Sequence, residues 1–293
     1  VAIAVALAAG VAVSVIYAVV FVRFNVPTFV VTLAGLLALL GLQLQLLGKN
    51  GSINIPFDSA MVGFMQRMFV PSALSYVLAA VVAAGFVGSQ LRKAHRRRAA
   101  HLSTNSVTSS LVKGLLLLAG LEAGCWYLNE TRGVSLPFVL LVVLVVVVDY
   151  ALKRTRWGRS VYAVGGSVEA ARRAGIKLGR IYVSVFVLCS VFAALGGLMS
   201  AGRLSAATIS SGTGDTNLNA IAAAVIGGTS LFGGRGNAYS ALLGIVVIES
   251  IANGLTLLNL TSAIRFMING GVLMIAVIVD SMARRSRAAH GAA

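Results

Sequence analysis

Apolar runs long enough to cross a bilayer recur along the whole chain, and no other feature constrains its fold as strongly. Nine can be read: Val1–Val22, Val26–Gly48, Val70–Gln90, Leu111–Leu128, Leu136–Leu152, Ile181–Ala201, Thr216–Leu231, Tyr239–Leu257 and Ala263–Ser281. About 20 apolar residues in a helix span a hydrocarbon layer ~30 Å thick. Thr216–Leu231 is short and interrupted by glycine, and Val26–Gly48 carries Pro27 one residue in, so both are expected to be irregular or partial crossings. Val139–Val148 has the β-branched content of a strand. An isolated strand in lipid leaves its backbone groups unpaired, so a helix is expected there too. The fold class is therefore all-α, a polytopic bundle of about nine spans forming one transmembrane domain over residues 1–293.

Composition removes the competing classes. With 58% hydrophobic and 11% charged residues, the chain cannot coat a water-soluble particle of 293 residues. Cys125 and Cys189 both lie within apolar runs, so no disulfide framework or metal knuckle is encoded. The net charge of +16 suggests nucleic acid in a soluble protein, but here the placement of the cations matters more. One set of alternating loops holds 19 Lys and Arg residues and the other holds 5. Cytoplasmic loops carry the excess of positive charge. The basic residues thus report topology and contact with lipid, with no nucleic acid as partner. Nine crossings with an inner C-terminus place Val1 outside, which leads to the expectation that the intact protein has ten or more helices, with one or more preceding Val1.

Two inner loops are long. Leu91–Ser110 is basic and includes His95 and His101, an anchor against anionic lipid. Lys153–Arg180 passes through Gly165 and Gly166 and then shows a helix start. Ser167 is placed as an N-cap and Glu169 lies in the first turn, where a carboxylate suits the helix dipole. Ala170, Ala171 and Ala174 supply a small-residue face, and Gly175 stops the helix. Such a helix fits a groove on a partner or serves as a solvated connector. On the outer side, Lys49–Phe69 is expected to be an ordered loop or hairpin, and Gly202–Asn219 is rich in small polar residues.

Ionisable groups within spans are costly and mark functional candidates. Glu122 lies between Gly120 and Gly124, a spacing that permits close helix approach. Glu249 and Asn253 stand one turn apart beside Gly254, a polar stripe suited to a hydroxyl-rich solute or to a seam between subunits. Asp149 and Asp280 are expected to pair with neighbouring cations. The glycine-dense stretch 227–236, which includes Thr229, lacks the Lys-Ser/Thr ending of a phosphate loop. A sharp re-entry with unwound backbone lining a cavity is expected there. The partial helices Val26–Gly35 and Leu218–Thr229, running in opposite directions, suggest an inverted repeat with a midplane path. No catalytic set is evident, so transport is favoured over an enzyme.

These residues carry a resemblance. Arg156–Ile176, containing GSVEAARRAG at 166–175, resembles the cytoplasmic coupling segment of ABC-type sugar importer permeases of the ribose/xylose/arabinose group. Gly212–Gly236, Asn253–Leu255 and Val26–Gly35 agree with that group, nearest its D-xylose-type subunits, although Ser167 stands where the family has Asn. The resemblance implies a homodimer of permeases, a cytoplasmic ABC ATPase that binds ATP and Mg, and an extracytoplasmic sugar-binding protein. No cofactor is then held by this chain. Gly165, Gly166, Glu169, Ala170, Ala171 and Gly175 would face the ATPase, with Thr229, Glu249, Asn253 and Gly254 beside the translocation path. A xylose-like pentose is the expected cargo. The rival reading is a proton-coupled secondary sugar transporter using Glu249 or Glu122.

Overall fold

The computed structural model describes residues 1–24, 26–99, 107–212, 216–231 and 233–289. Twelve helices lie within them, with two three-residue strands. Two compact units emerge, residues 1–57 with 141–293, and residues 58–140.

The larger unit contains α1 (Ala2–Phe24) and α2 (Thr28–Leu47), then β1 (Ser52–Asn54). After the helix α6 (Leu136–Arg154), whose first residues belong to the smaller unit, it continues with α7 (Arg156–Gly166), α8 (Val168–Arg173) and α9 (Leu178–Leu204). β2 (Ala206–Thr208), α10 (Thr216–Ile226), α11 (Ala238–Leu257) and α12 (Ser262–Ala289) complete it. The smaller unit holds α3 (Ala60–Gln66), α4 (Ser72–Ala99) and α5 (Val107–Asn129).

Seven of the nine apolar runs form helices long and apolar enough to cross a membrane, and two, Thr216–Ile226 and Ala263–Val279, form shorter apolar helices. The apolar window of α9 buries none of its residues within the chain. Surface of that kind requires lipid or protein around it, since a water-soluble monomer does not leave so much apolar area exposed. The valine-rich run is helical, as α6.

The run at Val26 departs from expectation. α2 is one continuous helix with Pro27 as its N-cap. Proline at the start of a helix removes no needed hydrogen bond, because the first N–H groups have no partner within the helix. The interruption falls only in 216–231, where α10 stops at Ile226 and Gly228 takes φ +100°. The basic stretch after Leu91 is also not a loop at first, since α4 runs on to Ala99. Lys, Arg and Ala favour helix, and cations suit a helix C-terminus. His101 lies outside the described residues.

Helices approach most closely where a side chain is missing. Gly10 of α1 faces Ala194 of α9, where an added Cβ would stand 3.1 Å from the Ala194 Cβ. Phe21 closes the same seam against Tyr182, with ring centroids 4.9 Å apart. In the smaller unit Gly114 packs on Val87, whereas an added Cβ on Gly120 or Gly124 meets nothing within 4 Å among the described residues. α10 and α11 also pack closely, backbone against backbone. A Cβ on Gly227 would collide with the Ser240 carbonyl, and one on Gly244 with the Ala223 carbonyl. Ala222, Ala223 and Ile248 form the buried centre of this pair, with Leu273 of α12 against it. Small residues at such seams let dispersion and backbone contact replace the hydrophobic drive that lipid cannot supply.

The connections between helices pair in a pattern that matches the charge distribution. β1 and β2 form an antiparallel ladder with Ile53 opposite Ala207, joining the 49–69 and 202–219 connections. Gln43 of α2 adds its Nε2 donor to the Thr208 carbonyl at 2.9 Å. Within the smaller unit the Val70 N–H donates to the Val134 carbonyl at 2.8 Å, tying the end of the 49–69 connection to the 129–135 turn. All of these connections belong to the cation-poor set.

Candidate functional site

The segment 153–180 is helical over most of its length. Thr155 caps α7, its Oγ1 accepting from the Gly158 N–H at 3.1 Å. Gly158 is required at the bend, since a Cβ there would strike the Leu152 carbonyl. Trp157 Nε1 donates to Ser184 Oγ of α9 at 2.7 Å and fixes one side of α7. Ser167 then ends α7 and starts α8 at once. It is the C-cap of one and the N-cap of the other, with its Oγ accepting from the Ala170 N–H at 3.3 Å. Gly175 turns the chain out of α8 at φ +79°. The cap at Ser167 and the stop at Gly175 stand where the sequence predicts them. α7 was not expected as a helix, although Thr155 three residues before Gly158 is an N-cap signal that could have disclosed it.

The six expected partner-facing residues separate into three groups. Glu169, Ala170 and Gly175 are exposed on or just after α8. Glu169 makes only a surface pair with Arg172 at 3.9 Å, which contributes little. Ala171 is 2% exposed and packs inward, so the presented face runs through Glu169, Ala170 and Ala174 instead. Gly165 and Gly166 lie at the end of α7 against another part of the chain.

That other part is the glycine turn between α10 and α11. A Cβ on Gly165 would lie 2.7 Å from the Gly234 nitrogen, and one on Gly234 would lie 2.9 Å from the Gly166 Cα. Gly233 and Gly234 both have positive φ, at +83° and +73°. Tyr162 Oη donates to the Gly236 carbonyl at 2.8 Å. Lys153 Nζ donates to Asn237 Oδ1 at 3.1 Å, pairs with Asp149 at 2.7 Å and lies 5.6 Å from the Tyr239 ring centre. Asn237 uses the same oxygen to cap α11 through the Tyr239 N–H. Two connections of the cation-rich set that the sequence flags separately, one of them carrying Arg235 alone, are thus packed backbone against backbone. Tyr162, Lys153 and Asn237 were not singled out from sequence.

The expected path residues are not brought to one place. Thr229 lies in the glycine turn, where a Cβ on Gly236 would meet its Cγ2 at 3.0 Å. Glu249 and Asn253 share an exposed face of α11, opposite the buried Gly244 and Ile248. Asn253 lies about 22 Å along the helix from Ala238. Gly254 has open space around it. A cleft of about 500 Å³ between α10, α11 and α12 is lined by Val225, Val247, Val272, Val279 and Arg235 among others, and includes neither Glu249 nor Asn253. Asp149 finds its expected cation in Lys153. The stretch 213–215 and Phe232, both within the motifs, lie outside the described residues.

Residues 1–278 match the family model described as branched-chain amino acid transport system / permease component. The chain belongs to this permease family. The family description is that of a transport permease component, and the seven long apolar helices fit a multi-pass membrane protein. The xylose transport system permease protein XylH of Escherichia coli (strain K12) is 35% identical to it over 261 residues, 89% of this chain and 65% of that protein. XylH of Haemophilus influenzae is 32% identical over 88% of this chain and 68% of its own length. The ribose import permease protein RbsC of E. coli (strain K12) is 31% identical over 87% of the chain and 79% of its own length. The chain therefore spans about two thirds of the length of the xylose permeases it matches. No solved structure matches it significantly.

The cap at Ser167 yields a first test of the permease. Ser167→Ala is expected to weaken α8 by about 1 kcal/mol, since the Ala170 N–H loses its acceptor. Hydrogen exchange should speed up in 168–173 and stay unchanged in α9.

Proposed function

We propose that the permease carries a monosaccharide, a xylose-like pentose, inward as the membrane subunit of an ATP-driven importer. The observation that carries this reading is the 35% identity to a xylose permease over 89% of the chain. It is supported by the short capped helix α8, which presents Glu169, Ala170 and Ala174 beside a dense cluster of cations. In this reading residues 153–180 face the cytoplasm and receive an ABC ATPase, which holds ATP and Mg. The C-terminus is also cytoplasmic. A second copy of the permease and an extracytoplasmic sugar-binding protein complete the assembly, and residues 1–293 act as one permease domain.

Glu249 and Asn253 are exposed on α11, so both belong either beside the solute or at the seam with the second copy. A carboxylate facing hydrocarbon is too costly to persist. Asn253→Leu is expected to lower uptake about tenfold while leaving assembly intact, in line with the loss of polar contacts to a hydroxyl-rich solute. Equal loss of uptake and of assembly would assign Asn253 to the seam. The function itself is tested in proteoliposomes holding permease, ATPase and binding protein. Radiolabelled xylose should accumulate with ATP and not with a proton gradient alone. Gradient-driven uptake without ATP would establish the proton-coupled alternative.

A further inference from the structure

We infer that the contact between the end of α7 and the glycine turn 233–236 is the joint through which movement of α8 reaches the α10–α11 pair, with Gly165, Gly233, Gly234 and Tyr162 as its positioning residues. The inference rests on the proposal that an ATPase docks on α8, and adds where the motion goes next.

Three features make the contact suited to transmission. First, no side chain stands between the two segments. Gly165 and Gly234 meet backbone to backbone, and a Cβ on Gly233 would lie 2.5 Å from the Gly165 carbonyl oxygen. Backbone contacts of this closeness have no rotamers with which to absorb a displacement. Second, the contact is tied on both flanks. Tyr162 Oη holds the Gly236 carbonyl, and Lys153 Nζ holds Asn237 Oδ1. Third, each side is itself stiff. α7 joins α8 through Ser167 alone and bears on α9 through Trp157. α10 and α11 are locked by the close approaches at Gly227 and Gly244. A push on α8 therefore rocks α7 against α9 and shifts the α10–α11 pair as one body.

Gly165→Ala separates this role from ordinary stability. Gly165 is helical with no positive φ, and alanine favours a helix by about 1 kcal/mol over glycine, so α7 itself gains. The added methyl nevertheless forces the Gly234 backbone away. In reconstituted complex, Gly165→Ala is expected to keep its ATPase and hydrolyse ATP near the native rate, while sugar moved per ATP falls about tenfold. Tyr162→Phe keeps the ring, removes one hydrogen bond, and should lower the same ratio about fivefold. Gly196→Ala in α9, where an added Cβ meets nothing, serves as the control and should leave the ratio at the native value. An unchanged ratio in both Gly165→Ala and Tyr162→Phe would overturn the joint. Loss of the ATPase from Gly165→Ala would also overturn it, by assigning Gly165 to docking. Failure of the native permease to retain an ATPase would bring down the proposed function as well, so the two failures are distinguishable.

Discussion

An Ala170→Trp permease is expected to reach the membrane in normal amount, to lose its ATPase on purification, and to take up sugar at least about thirtyfold more slowly. Ala170 is exposed on α8, and its backbone N–H, which satisfies the Ser167 cap, is unaffected by the side chain. An indole at this exposed position projects from the surface of α8 and fills space a docked partner would need. The contrast is Ala171, buried at 2% exposure, where the same substitution should damage the permease itself. Quantifying co-purified ATPase against permease, with uptake measured in parallel, separates the two positions. Full retention of the ATPase by Ala170→Trp would show that α8 is not the docking element.

The second large effect is expected at Gly244. A Cβ there coincides with the Ala223 carbonyl, so Gly244→Leu must lift α11 from α10 and open the centre formed by Ala222, Ala223 and Ile248. Overpacking of this sort costs about 1–3 kcal/mol and more where backbone cannot yield. The melting temperature in detergent should fall by about 5 °C or more, with a smaller monodisperse fraction on size exclusion. Gly41→Ala on α2, where an added Cβ meets nothing, should melt with the native protein. Equal melting of Gly244→Leu and native permease would mean that α10 and α11 are not held at this seam.

Much of the fold was legible because bilayer physics leaves few options. Apolar length dictates helices, and Ser167 and Gly175 mark a helix start and stop by local rules that need no tertiary contact. Pro27 misled for a local reason as well, since its place just ahead of α2 is where proline is harmless. The small-residue spacing at Gly120 and Gly124 looked like a packing motif, yet Gly10, Gly114, Gly227 and Gly244 make the close approaches. Sequence spacing shows that a glycine permits contact and not which helix stands opposite. The α7–glycine turn joint was out of reach for the same reason. Gly165 and Gly234 lie on distant parts of the chain, and each reads locally as a flexible bend. Ala171 fell on the wrong side because a six-residue helix offers too little periodicity to fix its buried face.

The most direct measurement is the accessibility of a single cysteine at Ala174 in a permease lacking Cys125 and Cys189, using a membrane-impermeant maleimide on sealed vesicles of each orientation. Labelling only from the cytoplasmic face, and protection from it when the ATPase is bound, is the predicted result. Labelling from the outer face, or labelling indifferent to the ATPase, would contradict it.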